Sequence, residues 1–181
     1  MTHLSTADLK AGAARVHASP SEQGTVELVV RRPDVDGREV LDEGELVVGQ
    51  GLAGDNYVAR GSRETDDGSA HPEAQLNIMN AHAVDLVAAG DKDKWSLAGD
   101  QLFVDFNLSL ANAPAGTRLR VGTAVIEVTA KPHNGCAKFA KRFGVDAAKW
   151  ANSSTEERYR GINAVVVEAG IVRPGDAVVK L

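Results

Sequence analysis

Apolar and polar residues alternate in many short stretches of the chain, which is the pattern of half-buried β-strands. In residues 24–30 this alternation predicts that Val26, Leu28 and Val30 share one face of a strand. Further strands are predicted at residues 38–41, 45–48, 74–79, 101–109, 117–121, 123–129, 163–168 and 177–181. Turn residues recur at close spacing and strands do not alternate regularly with helices. The pattern therefore favours a mainly β fold, a closed or nearly closed antiparallel barrel with a few short helices.

Helical spacing is limited to short stretches. Ser5-Thr6-Ala7-Asp8 has the pattern of a capping box and predicts a helix over residues 6–16. We expect this helix to form an appendage of residues 1–20 on a main domain of residues 21–181. Two further short helices are predicted at residues 80–89 and 136–151.

Composition indicates an ordinary globular protein of one domain with a small appendage, because the 181 residues are 43% hydrophobic. No stretch is long and apolar enough to predict a membrane span, and no export signal is visible, so we expect a cytoplasmic protein. The single cysteine excludes an internal disulfide and a zinc site built on several thiolates.

Charge is unevenly distributed along the chain. The net charge of −5 argues against a nucleic-acid-binding protein. Between residues 118 and 142, however, Glu127 is the only acid, against six cations. These cations are Arg118, Arg120, Lys131, Lys138, Lys141 and Arg142. The segment is either a solvated basic face or a site for a small anionic cofactor or substrate.

Cys136 lies between a predicted strand and a predicted helix, with Lys131, Lys138, Lys141 and Arg142 close in sequence. A helix start and neighbouring cations both favour the thiolate, which is the nucleophilic and metal-binding form of cysteine. A lone cysteine is otherwise most often a small buried hydrophobic residue. The local charge leads us to predict a reactive thiol instead.

Other polar residues are weaker candidates. His133, three residues before Cys136, is either a base that orients or deprotonates the thiol or an exposed turn residue. Asp55 and Asp100 each follow a glycine and either face the site or close a turn. Asn163 begins a valine-rich strand and is predicted at the barrel mouth. His71 and His82 do not have the setting of a zinc pair, because His82 falls on a predicted surface helix and the acids near His71 on a flexible loop.

Several motifs occur in the order typical of one family. They are Gly51-Leu52-Ala53-Gly54-Asp55, His71 to Asn80, Leu97 to Leu102, Gly116 to Gly122, Val125 to Thr129, Pro132 with Cys136, Arg142-Phe143-Gly144, Arg160-Gly161 and Gly170 to Asp176. In this order they resemble the MOSC domain, named for the C-terminal domain of molybdenum-cofactor sulfurase. The resemblance spans about residues 24–181. Gly99-Asp100-Gln101-Leu102 departs from the family's common Gly-Glu-Asn-Leu.

The resemblance implies a MOSC-type fold, similar to PK β-barrels, and maps the family's cysteine onto Cys136. In one reading, Cys136 ligates the molybdenum of a pterin cofactor that reduces N-hydroxylated compounds with a redox partner, and cations hold the cofactor's phosphate. The cofactor-binding residues would then be Arg118, Arg120, Lys138, Arg142, Asp55, Asp100 and Asn163, with His133 beside Cys136 in catalysis.

Two other functions stay open. Cys136 could accept persulfide sulfur from a donor protein for metal-sulfur cluster assembly, or the domain could bind an anionic metabolite without catalysis. The pyridoxal phosphate associated with the family belongs to a separate N-terminal domain of the sulfurase. We therefore do not expect this chain to bind it.

Overall fold

The computed structural model describes residues 3–181, and eleven short strands carry most of its regular structure. The strands are β1 Gln23–Arg31, β2 Glu39–Leu41, β3 Gly44–Val47, β4 Gly51–Leu52, β5 Leu76–Asn80, β6 Leu102–Asp105, β7 Arg118–Val121, β8 Ala124–Val128, β9 Ile162–Glu168, β10 Gly170–Val172 and β11 Ala177–Lys180. Two of them, β4 and β10, were not predicted, because a strand of two or three residues is too short to show alternation.

Seven strands close into a barrel in the order β11-β7-β8-β9-β5-β6-β1, and the pairing of β1 with β11 completes the circle. Neighbouring strands are antiparallel except β5 and β6, which run parallel. Strand β2 extends the sheet beside β1, and β10, β3 and β4 form a separate small sheet. The predicted fold class, a mainly β barrel with a few short helices, is confirmed.

Alternation along the strands divides the apolar residues between two cores. Leu102 and Val104 of β6 join the core inside the barrel, whereas Phe103 between them packs under the helices outside it. The prediction for β1 was wrong in one respect. A register shift between Val26 and Leu28 places Val26 and Val29 in the barrel core but Leu28 and Val30 against the helical layer. A β-bulge of this kind exchanges the two faces of a strand.

Five short α-helices and one 3-10 helix surround the barrel. They are α1 Thr6–His17, α2 Tyr57–Arg60, α3 Ala81–Val87, the 3-10 helix Lys92–Ala98, α4 Ala137–Phe143 and α5 Val145–Ala151. The predicted capping box of α1 is present, and the Asn80 side chain caps α3. No helix within residues 3–181 has both the length and the apolar character that crossing a membrane requires. The boundary at residue 20 stays a prediction, and residues 1–2 lie outside the described residues.

Two buried ion pairs connect loops near β1 and β9. Arg32, which follows β1, bonds Asp55 through Nη2 and Nε at 2.8 and 2.9 Å. Arg160, which precedes β9, donates from Nη1 to both carboxylate oxygens of Asp100 at 2.9 and 2.7 Å. Burial alone would raise the pKa of Asp100, but Arg160 and His133 outweigh it and lower the pKa from 3.8 to about 2.

We expect Gly161→Ala to destabilise the protein more than Gly116→Ala. Both glycines have positive φ, 106° and 89°, so alanine strains the backbone at each by about 1 kcal/mol. A Cβ at Gly161 would also lie 2.0 Å from the Ile78 carbonyl oxygen, whereas nothing lies within 4 Å at Gly116. Urea unfolding should show an additional loss of roughly 1–3 kcal/mol for Gly161→Ala. Equal losses of stability in the two variants would contradict the close approach of the Gly161 and Ile78 backbones.

We expect Asp100→Asn to lower the free energy of unfolding by about 3–5 kcal/mol at pH 7, because it leaves the Arg160 guanidinium buried without a counter-charge. The folded pKa of Asp100 is below the unfolded value. Its stabilising effect is therefore fully present above pH 3.8 and is lost as the pH falls towards 2. Urea unfolding at pH 7, 5 and 2.5 measures the free energy of unfolding of wild type and variant. The difference between the two should decrease by about 2 kcal/mol at acid pH. A gap independent of pH would contradict this assignment, and exposed Asp66→Asn serves as the control.

Candidate functional site

Cys136 lies where the sequence predicts it, between a strand and a helix. Residues 129–135 connect β8 to α4, and Cys136 is the N-cap residue of α4. The thiol is exposed and makes no capping hydrogen bond. Because α4 has only seven residues, few aligned peptide units contribute to its dipole, so the surroundings of the thiol depend mainly on nearby side chains.

Two adjoining clefts share the wall that contains Cys136. The larger cleft has a volume of about 550 Å³ and includes Tyr57 and His71, whereas the smaller has about 240 Å³ and includes Phe139. The residues common to both are Arg60, Asn77, His133, Asn134 and Cys136. The thiol is thus accessible to a ligand in either cleft.

Cations from several parts of the chain line the smaller cleft. They are Arg32, Arg38, Arg60, Lys138, Arg142 and Arg160. Among residues 3–181, the only carboxylates in this lining are Asp34 and Asp36. Asp36 accepts from Lys138 Nζ at 3.0 Å and from Arg142 Nη2 at 2.5 Å, which places it at the outer, exposed edge of the cluster.

The inner arginines crowd one another. Partial burial lowers the pKa of Arg38, and the positive charges of Arg142 and Arg32 lower it further. Its Nε donates to the Ser96 carbonyl at 3.1 Å. Arg60 is exposed and forms no ion pair among the described residues. An anion in this cleft would relieve the repulsion between like charges.

His133 is joined to the buried ion pair of Asp100 and Arg160. Its Nε2 lies 2.7 Å from Asp100 Oδ1, and its side chain is 11% exposed. Burial and the Arg160 guanidinium lower the pKa of His133, and Asp100 offsets only part of this effect. The ring is therefore neutral at pH 7. Since Asp100 is ionised and can only accept, the proton is on Nε2, which leaves Nδ1 as the basic nitrogen.

A second polar chain fixes the segment that leads to Cys136. Arg32 Nη1 donates to Asn77 Oδ1 at 2.9 Å, and Asn77 Nδ2 donates to Asn163 Oδ1 at 2.6 Å. Asn163 Nδ2 in turn donates to the carbonyls of Lys131 and Pro132 at 3.0 and 3.1 Å. Asn163, predicted at the barrel mouth, lines the larger cleft, and its role in binding a cofactor stays a prediction.

The structure does not bring every predicted cofactor ligand to Cys136. Arg118 and Arg120 are exposed on β7 and line neither cleft, and Arg118 Nε donates to Glu127 at 3.0 Å. The reason is strand alternation, since Leu119 and Val121 between and beside them fill the barrel core. Asp55 and Asp100 have fully buried side chains and line neither cleft. They hold Arg32 and Arg160 in place rather than facing a ligand.

Sequence reasoning missed Arg32, Arg38, Arg60 and Arg160 as cleft residues. Arg160 belongs to the Arg160-Gly161 motif, and Arg32 is the partner of Asp55, so the family motifs carried a signal for both. Arg38 and Arg60 are distant in sequence from Cys136 and have no local signal.

The two histidines considered for zinc lie apart. His71 lines the larger cleft, and its Nδ1 accepts from the Glu73 backbone N–H at 3.2 Å. His82 is on α3, where its Nε2 lies 3.4 Å from Asp105. Within residues 3–181, no three His, Cys, Asp or Glu side chains are grouped so that they could hold a metal ion.

Solved structures with the same fold are known. The YuaD protein from Bacillus subtilis has 14% sequence identity and a TM-score of 0.64, over 86% of this chain and 94% of that chain. YiiM from Escherichia coli has 20% identity and a TM-score of 0.55, over 87% and 69%. YiiM from Geobacillus stearothermophilus has 13% identity and a TM-score of 0.53, over 90% and 74%. These likenesses concern the fold alone.

A search of the curated proteins finds no match. The family model for the MOSC domain matches residues 65–179, which include Cys136, His133, Asp100, Arg160 and Asn163. Because this match covers more than half of the chain, the protein belongs to the MOSC domain family.

Proposed function

We propose that the adjoining clefts bind molybdenum cofactor, with Cys136 Sγ as the protein ligand of the metal, and that the protein reduces N-hydroxylated compounds. The observation that supports this most directly is an exposed thiol on the wall shared by two clefts, one of which contains six cations. A soft thiolate suits a soft metal centre, and arginine suits phosphate.

The chemistry of the donor set fits this cofactor better than a free metal ion. Cys136 is a lone thiol, so a metal bound there needs further ligands that come with it, as a pterin dithiolene supplies. Arg38 and Arg60 are available for a phosphate. The side-chain amides of Asn77 and Asn134 can bond the polar edge of a pterin ring.

When bound, the cofactor supplies the two electrons that convert an N-hydroxylated compound and two protons into the amine and water. Cys136 would hold the cofactor as a thiolate, and His133, which lines both clefts with it, would take the proton of the thiol on Nδ1. Asp100 keeps the other proton of His133 on Nε2 and so fixes this tautomer. His133 is a positioned base in this scheme, whereas Asp100 and Arg160 act only through it.

A second function, sulfur transfer, is favoured by the exposure of the Cys136 thiol. The thiolate would attack the terminal sulfur of a donor persulfide, and the donor would leave as a thiolate. Cys136 would then carry the sulfur as an anionic persulfide that the cleft cations stabilise. This reaction needs a donor protein that can reach the cleft.

We expect Cys136→Ala to lose bound molybdenum. After expression in a host that makes the cofactor, metal and pterin analysis should find near-stoichiometric molybdenum in wild type and at least about tenfold less in the variant, because the only thiolate ligand is gone. An amidoxime-reduction assay with a chemical reductant should show a parallel loss of activity. Absent molybdenum in both proteins, with a persulfide on the wild type, would instead support sulfur transfer. Full anion binding by Cys136→Ser without either chemistry would indicate a binding module.

We expect Arg60→Ala to weaken cofactor retention about tenfold, which corresponds to the loss of one charge-assisted hydrogen bond. The matched control is Arg118→Ala, because Arg118 is an exposed arginine outside both clefts. The measurement is the molybdenum that each protein retains after extended dialysis. Greater loss with Arg118→Ala than with Arg60→Ala would contradict the arginine-lined cleft as the phosphate site.

A further inference from the structure

A separate cavity lies on the other side of the segment that leads to Cys136. It has a volume of about 230 Å³, and most of its lining comes from residues 129–134, 151–152, 154–155, 158 and 160–163. Cys136 does not line it, but Lys131, Pro132, His133 and Asn134 do. These four residues also line the larger cleft, so one chain segment separates the two spaces.

The cavity is positively charged. Lys131, Arg158 and Arg160 line it, and within residues 3–181 no Asp or Glu does. Arg160 is already paired with Asp100, and Lys131 with Glu64. Arg158 forms no ion pair among the described residues, and the one hydrogen bond of its side chain there is from Nη1 to the Ala113 carbonyl at 2.6 Å. Partial burial lowers the pKa of Arg158, so its charge is partly removed from water without a counter-ion.

The backbone of Arg158 is strained, which indicates that the surrounding structure holds this residue in one position. Its φ is 51°, in the left-handed region that is unfavourable for a residue with a long side chain. Apolar side chains, Leu110, Pro132 and Ile162, form another part of the wall. A ligand that fits this combination has a small apolar body and one negative group.

The cavity also contacts the residue that holds the backbone before Cys136. Asn152 lines the cavity, accepts from Gly135 N–H at 2.7 Å and donates to the Gly135 carbonyl at 3.1 Å. A ligand that packs against Asn134 and Asn152 would therefore restrict the motion of the segment that carries the thiol.

We propose that this cavity binds a small organic carboxylate through Arg158, and that the bound carboxylate restrains residues 131–135 and protects Cys136 from modification. This site goes beyond the cofactor cleft and does not require molybdenum. It predicts that a metabolite of this class controls access to the thiol.

The test uses benzoate as the probe and benzamide as its neutral counterpart. In NMR titrations of the full chain, benzoate should shift the amide signals of Asn152, Ser154 and Ile162 with a dissociation constant on the order of millimolar, and benzamide should not. Arg158→Asn and Arg158→Gly, both compatible with the positive φ, should weaken benzoate binding about tenfold or more. The control Arg118→Ala should bind as wild type does. Saturating benzoate should slow alkylation of Cys136 by iodoacetamide at least about twofold in the wild type and in Arg118→Ala, but not in the two Arg158 variants.

Any of four results would overturn the proposal. Equal binding of benzamide and benzoate would exclude recognition of the negative charge. Unchanged affinity for benzoate in both Arg158 variants would exclude Arg158 as the residue that binds the carboxylate. Shifts confined to Arg60 and His71 would place benzoate in the cofactor cleft instead. An alkylation rate that benzoate leaves unchanged would refute the restraint on the thiol. The NMR binding results do not depend on whether the cleft binds molybdenum. Alkylation is measured on protein from a host that does not make the cofactor, so that the Cys136 thiol is unligated.

Discussion

The arrangement of the site depends on one buried carboxylate. Asp100 accepts from Arg160 and contacts His133 Nε2, and so it joins the loop after the 3-10 helix to the segments before β9 and before α4. A buried guanidinium without this carboxylate would lower the stability of the folded protein, and so would a buried carboxylate without the guanidinium. The pair therefore specifies a single arrangement of three segments that are far apart in sequence. This cluster also fixes the chain close to Cys136, because His133 is three residues before it.

Pairing of buried acids with arginines also explains how a protein of net charge −5 has a basic cleft. Asp55 and Asp100 lie behind the cleft and neutralise Arg32 and Arg160, whose side chains form its inner wall. Within residues 3–181, Arg38 and Arg60 have no such partner, and they provide the uncompensated charge. The buried acids thus fix the geometry, whereas the remaining arginines leave the cleft with a positive potential.

The sequence was sufficient to predict the barrel, the capping of α1 and α3, and the position of Cys136, because these depend on local patterns. The face assignment along β1 failed since a bulge leaves no clear signal in residue order. The arginines that we expected to bind a cofactor were chosen because they are close to Cys136 in sequence. Strand alternation should have argued against Arg118 and Arg120, because Leu119 and Val121 require the inward face. Arg38 and Arg60 reach the cleft only through long-range folding, which no local pattern encodes.

The positive charge around Cys136 therefore does not come mainly from the helix start and the cations near it in sequence. A seven-residue helix with an uncapped first turn contributes a weak dipole. Two cations that are near Cys136 in sequence, Lys138 and Arg142, are partly neutralised by Asp36. What distinguishes this thiol is the field of arginines from distant segments, together with a histidine whose tautomer is fixed by a buried acid. Such a field acts on any negative sulfur species, whether a metal-bound thiolate or a persulfide. The clefts therefore bring positive charge from distant segments beside an exposed thiol, and the sequence around Cys136 does not encode this arrangement.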